Sequence, residues 1–204
     1  MINQQAASLQ TFGLQDLAQY TREGAFSPAS CPAHRLFYVG RDDVHSILKH
    51  ILSRVSLSLY MNMFGYDDDE LNDILMAKAT DPQVTMLITL DKSQAGGAHE
   101  KRLLDSDAAN DPAAFNTYFV VGQSATHQIT HTKGFVADGL VGVEGSTNLS
   151  DSGEGTFVVT GQPGGANYKA QNNTCMVFVD QDTCARFSAE LISEHSAAQR
   201  GAGK

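Results

Sequence analysis

Apolar and polar positions along this chain fall into blocks that change period. Arg35–Val39 (RLFYV) alternates as a strand and stops at Gly40. Val44, Ile47, Leu48, Ile51 and Leu52 then recur at helical spacing, with Asp42 or Asp43 placed to cap a helix running to about Ser53. Val55–Phe64 is β-branched and alternating, and predicts a second strand. Asp67, Asp68 and Asp69 precede another helix with Leu71, Ile74 and Leu75 on one face, and acids at a helix start suit its dipole. Capping is the stronger reading of these aspartates, a metal site the weaker. Val84–Leu90 is nearly all apolar, as in a strand buried on both faces. The order strand, helix, strand, helix, strand predicts an α/β fold, with a mixed, largely parallel sheet flanked by helices on both faces.

The later part is more broken. Asp91 to Pro112 is polar and predicts a loop with one helix, and Tyr118–Val121 a short strand. Lys133–Val143 predicts a hairpin around Asp138-Gly139, a strong two-residue turn signal. The glycine-rich stretch Gly153–Tyr168 predicts a long surface loop, and Cys175–Val179 a strand. Asp182 or Thr183 would cap a last helix carrying Phe187, Leu191 and Ile192. Residues 1–30 lack a sustained pattern and predict a loosely attached N-terminal arm with a short helix near Leu14–Tyr20. Residues 31–204 predict one domain.

Composition narrows the function classes. A length of 204 residues with 42% hydrophobic and 18% charged positions suits a globular domain and excludes extensive disorder. The formal charge of −9 disfavours a protein coated with basic surface, although a local basic pocket can sit inside an acidic shell. No run approaches the roughly 18 apolar residues of a membrane span. Met1–Leu14 has no basic segment followed by an apolar core, so the expectation is a cytoplasmic protein. Cys31, Cys175 and Cys184 are scattered without CxxC spacing, which predicts free thiols.

The chemistry concentrates at His131-Thr-Lys133 through Asp138, and at Gly145-Ser146-Thr-Asn148. A two-residue turn at Asp138-Gly139 would pair Lys133 with Glu144 and His131 with Ser146. His131, Lys133, Ser146 and Asn148 would then share one face, unless Gly145 bulges the strand. That set suits phosphoryl chemistry. A neutral imidazole is a nucleophile near pH 7 and a general acid once protonated. A lysine ammonium pairs with phosphate oxygens, and serine and asparagine add neutral donors. The set requires no metal and no cofactor.

The pattern H-x-K-x4-D-x6-G-S-x-N, complete at His131, Lys133, Asp138, Gly145, Ser146 and Asn148, resembles that of the phospholipase D superfamily. The strand end Leu90-Asp91-Lys92-Ser93 resembles the one in the small bacterial nucleases of that superfamily, and the likeness spans roughly residues 33–195. It implies a phospholipase D-like catalytic domain that cleaves phosphodiesters without a metal, in two steps. One histidine attacks phosphorus to form a phosphohistidine. A second, from a second copy of the motif, protonates the leaving oxygen and then activates water. His131, Lys133, Asp138, Ser146 and Asn148 are the implied catalytic residues, with Lys133, Gly145, Ser146 and Asn148 around the phosphate.

Only one intact copy is present. His99-Glu-Lys101 begins similarly, but Ser106 stands where aspartate is needed and no GSxN follows. A homodimer with the site across its two-fold axis is the simplest completion. Superfamily members often carry a histidine-orienting glutamate after GSxN. Here that stretch is Gln171-Asn172-Asn173-Thr174, so Asn172 replaces it and Glu144 or Glu154 could take over.

Other signals are weaker. A zinc pair at His127 and His131 lacks the HExxH glutamate. Lys92 is either a phosphate contact or simply solvated. Gly161-Gln-Pro-Gly164-Gly165 lacks the GK[ST] of a P-loop. Three functions remain open: a nuclease, a phospholipase D or phosphatidyl transferase acting on lipid phosphodiesters, and a non-catalytic binding module.

Overall fold

A seven-stranded sheet organises the computed structural model, which describes residues 8–94, 97–98, 101–102, 105, 119–122 and 129–202. Its strands are β1 (His34–Tyr38), β2 (Ser58–Met63), β3 (Thr85–Asp91), β4 (Phe119–Gly122), β5 (Lys133–Ala137), β6 (Val141–Gly145) and β7 (Thr174–Phe178). They lie in the order β1-β7-β6-β5-β2-β3-β4. The β2–β3 and β3–β4 pairs are parallel, and the other four pairs are antiparallel. The sheet is therefore mixed, not largely parallel. Sequence order shows that a helix separates β1 from β2, but not that the two strands are neighbours. In space β7, β6 and β5 stand between them, and the tight turn after β5 makes β6 an antiparallel partner.

Helices α1 (Val44–Leu52) and α2 (Asp69–Ala79) follow β1 and β2. The short α3 (Asp151–Glu154) and α4 (Thr156–Thr160) interrupt the glycine-rich stretch expected to be loop, and α5 (Gln181–Ala202) ends the fold. Asp43 caps α1 by accepting from the Ser46 amide at 3.0 Å. Asp68 caps α2 through the Leu71 amide at 2.7 Å. Asp180, rather than Asp182 or Thr183, accepts from the amide and hydroxyl of Thr183 at the start of α5.

Alternating strand residues feed two cores. Leu59, Met61, Met63, Ile88, Phe135 and Val143 join Ile47, Ile51, Leu71 and Leu75 of α1 and α2. Val136 and Phe178 face the other way and meet Cys184 and Leu191 of α5, with Tyr60, Met176 and Phe187 packed around them. Residues 8–30 are not a loose arm. Leu9, Leu14 and Leu17 lie inside the larger core, and residues 14–20 form a 3-10 helix whose Tyr20 hydroxyl meets His50 Nδ1 at 3.0 Å. Spaced leucines without a long amphipathic repeat were enough to dock it. All three cysteines are free, with Cys175 and Cys184 buried.

The hairpin differs from expectation by one residue. Asp138 (φ 54°) and Gly139 (φ 67°) both adopt left-handed backbone, and the Leu140 amide donates to the Ala137 carbonyl at 3.0 Å, so the tight turn forms. Leu140 nevertheless stays outside the ladder, which pairs Ala137 with Val141 and Gly134 with Glu144. Continued outward, this register sets Lys133 across from Gly145 and Thr132, not His131, across from Ser146. Because side chains alternate, the slip moves Glu144 and Ser146 off the face of Lys133.

Candidate active site

The site is built where β2 and β3 end and β5 begins. Met63 pairs with Lys133, so the next residue, Phe64, lies beside the segment entering β5. Its ring meets the His131 imidazole edge to face, with centroids 4.7 Å apart. Lys133 Nζ stands 4.7 Å from the same ring and donates to the His131 carbonyl at 2.7 Å. His131 is exposed, whereas Lys133 is only 7% exposed. Burial lowers the Lys133 pKa below the usual ammonium value, and the negative charges of Asp91 and Glu144 oppose that shift.

Asp91 holds the approach to this pair. It is buried at the end of β3 and accepts from the Thr130 amide at 2.6 Å and from the amide and hydroxyl of Ser93 at 2.8 and 2.5 Å. Thr130 immediately precedes His131, so Asp91 fixes the backbone that presents the imidazole. Sequence reasoning assigned no site role to Asp91 or Phe64. The available signal for Asp91 was an acid closing an apolar strand; for Phe64 there was none beyond position.

Gly145, Ser146 and Asn148 arrive on the other side. Asn148 Oδ1 accepts from the Gly65 amide at 3.0 Å, which ties it to the residue after Phe64. Ser146 Oγ accepts from the Thr174 amide at 3.0 Å and is exposed. Gly145 is set by close approach, since a Cβ there would lie 2.2 Å from the Thr174 carbonyl oxygen. Gly145→Ala is therefore expected to pry β6 from β7 and cost about 2–3 kcal/mol. That lowers Tm by roughly 5–10 °C in thermal denaturation.

Asp138 is not with the others. It sits beyond the far end of β5, where its carboxylate accepts from Ser56, Leu57 and Ser58. Asn172 is exposed, and its neighbour Asn173 is the buried one, donating to the Gly153 carbonyl and Gln171 Oε1 at 3.0 Å each. Glu154 is engaged by His45 and does not orient His131. Lys92 is exposed, and His127 lies outside the described residues.

His131 opens onto a cleft of about 420 Å³ that Asn62, Thr130 and Glu144 share with Phe187, Glu190 and Glu194 of α5. Asn62 Oδ1 and Thr130 Oγ1 are buried there with no partner among the described residues. Burial raises the Glu144 pKa against the pull of Lys133. Among the described residues the cleft combines one imidazole, unpartnered polar oxygens and three carboxylates, so it can hold a polar, donor-bearing ligand beside that imidazole.

No family profile and no curated protein sequence matches the chain. Solved structures do. A phospholipase D family member, Nuc from Salmonella typhimurium, superposes with a TM-score of 0.60 at 13% identity, covering 81% of this chain and 95% of that one. NucT from Helicobacter pylori gives 0.57 at 12% identity over 80% and 96% of the two chains. Phosphatidylserine synthase from Haemophilus influenzae gives 0.56 at 12% identity, over 86% of this chain and 38% of that one. The chain has the phospholipase D fold. No helix among the described residues is long and apolar enough to cross a membrane.

Proposed function

We propose that the protein is a metal-independent phosphodiesterase, foremost a nuclease, that works through a phosphohistidine at a site shared by two copies of the chain. The observation that carries this reading is the exposed His131 ring beside the buried Lys133 ammonium, both held by Phe64, within an intact HxK…GSxN pattern. His131 attacks phosphorus, forming a P–N bond as the P–O bond to the leaving group breaks. The leaving oxygen takes a proton from His131 of the second copy. That histidine then removes a proton from water, whose oxygen attacks phosphorus and breaks the P–N bond, restoring both imidazoles. Lys133 and Asn148 face the phosphoryl oxygens, whose negative charge grows in the transition state.

A lipid phosphodiester is the second reading, favoured by the acidic cleft. Glu144, Glu190 and Glu194 beside His131 repel a polyanion and suit a substrate with a cationic group next to its phosphate. Retention of the fold for binding alone is the third, and rests on the replacement of the usual glutamate by Asn172.

One assay separates them. Purified protein in EDTA is offered single-stranded and duplex nucleic acid, bis-p-nitrophenyl phosphate and phosphatidylcholine, with His131→Ala alongside. The expected result is cleavage of nucleic acid or the nitrophenyl diester, undiminished by EDTA and lost in the variant. Turnover of lipid alone promotes the second reading, and silence on all four promotes the third. Loss on chelation with recovery on adding one metal, in protein whose Tm is unchanged by the chelator, overturns the metal-free mechanism.

A further inference from the structure

A second cluster of reactive groups lies away from His131. His45 of α1, Asp68 at the start of α2 and Glu154 of α3 are all buried, and one ligand atom from each lies within 4.8 Å of the others. His45 Nδ1 is 2.5 Å from Glu154 Oε2 and 3.4 Å from Asp68 Oδ2. The other nitrogen, Nε2, faces Glu70 Oε2 at 2.8 Å, and Glu70 in turn pairs with Lys49. Glu154 Oε1 is buried with no hydrogen-bond partner among the described residues, although its residue has no solvent exposure at all.

We propose that His45 Nδ1, Asp68 and Glu154 form a structural site for a divalent first-row transition cation. Three observations point there together. A zinc-sized ion keeps its ligands at about 2.1 Å, which places tetrahedral neighbours about 3.4 Å apart; the His45 Nδ1–Asp68 Oδ2 separation of 3.4 Å matches this, and the 2.5 Å His45–Glu154 hydrogen bond would open when the ion replaces its proton. A metal-bound imidazole commonly donates its second N–H to a carboxylate, which fixes the tautomer, and Glu70 is positioned to accept from Nε2. The orphaned Glu154 Oε1 would gain a partner through bidentate ligation or a bound water.

A divalent ion replaces the Nδ1 proton, which leaves to solvent, and balances the two carboxylates with neutral imidazole. One nitrogen and two carboxylates are a donor set for Zn²⁺ or Mn²⁺ rather than a thiophilic ion.

Such an ion would act on the fold rather than on the reaction. Glu154 lies on the segment that follows Asn148, and the amides of Asp67 and Asp68 both donate to the Leu149 carbonyl, at 2.8 and 3.1 Å. A cation would staple α1 and α2 to the strand end that supplies Asn148.

The test uses full-length protein stripped with chelator and then titrated with Co²⁺ and, separately, Zn²⁺. The expected results are a Co²⁺ absorption band saturating at one ion per chain, and a Zn²⁺-dependent rise in Tm of roughly 5–10 °C at 100 times Kd. Both should vanish in Glu154→Gln, which preserves shape, and in His45→Gln. If either variant fails to fold, Asp68→Asn, which keeps a side-chain acceptor for the cap of α2, takes its place as the test of where the ion binds. No band and no Tm change in the wild type would overturn the proposal and leave a proton-bridged ion cluster. A band that persists in folded Glu154→Gln and His45→Gln would place the ion elsewhere and overturn it equally.

Discussion

His131→Ala is expected to lower phosphodiester cleavage by at least about 10³-fold while leaving the fold intact, because in the proposed mechanism this side chain forms the covalent bond and no other histidine among the described residues lines its cleft. The ring is exposed, and the contact it shows among described residues is the edge-to-face meeting with Phe64. Losing it costs about 0.5–1.5 kcal/mol, a Tm change of a few degrees. Lys133 keeps its hydrogen bond in the variant, since it donates to the backbone carbonyl of residue 131. Activity and stability should therefore separate cleanly when initial rates and Tm are measured on the same preparation. Mixing wild type and variant extends the test. If each site needs both histidines of a dimer, a randomly exchanged equal mixture of subunits retains about one quarter of wild-type activity, from the all-wild-type dimers alone. Independent sites would retain about one half. Unaltered cleavage by His131→Ala would remove the covalent mechanism altogether.

How much of this was legible in the sequence depended on the range of the interaction involved. Strand positions and the helices after β1 and β2 followed from local periodicity; their caps followed only to within Asp42 or Asp43 and Asp67 to Asp69, of which the structure selects Asp43 and Asp68, and the cap of α5 fell at Asp180 rather than at Asp182 or Thr183. Strand order did not follow. The antiparallel pairing of β1 with β7 joins Arg35 to Val177, and nothing local to either announces it. The hairpin was half legible. Asp138-Gly139 fixed the turn, but the position of Leu140 outside the ladder is decided by how β5 and β6 pack on both cores, and that one residue changes which side chains share a face. For the same reason the site was legible as a motif but not as a geometry. His131 and Lys133 were identifiable by type and spacing, while Phe64 and Asp91, which hold them, come from the ends of other strands. The partnership of His45 with Glu154 spans 109 positions and had no signal at all.

Asp138 is where the motif and the geometry diverge most, and its replacement should expose the difference. The carboxylate accepts from the amides of Ser56, Leu57 and Ser58 and from the Ser56 hydroxyl, at 2.8 to 3.1 Å, and so fastens the segment that leads into β2. Hydrogen bonds to a charged acceptor are among the stronger ones, and the amides left behind would be partly shielded from water. Asp138 also holds φ at 54°, a conformation that aspartate and asparagine tolerate better than alanine. Asp138→Ala is therefore expected to destabilise by about 3 kcal/mol, lowering Tm by roughly 10 °C. Asp138→Asn keeps one acceptor and the left-handed backbone, so it should recover about half of that loss. Catalysis should respond differently. Seven positions separate Asp138 from His131, which at about 3.3 Å per strand residue is roughly 20 Å, too far for proton transfer or contact with phosphate. Assayed well below its lowered Tm, Asp138→Ala should retain kcat within a few-fold of wild type per folded molecule. A hundredfold fall in kcat at unchanged Tm would instead make Asp138 a catalytic residue. The aspartate's fixed spacing from the histidine would, on the expected result, record a demand of the turn. The residue after β5 must both reverse the chain and clasp the start of β2, the strand whose far end delivers Phe64 to His131 and Lys133.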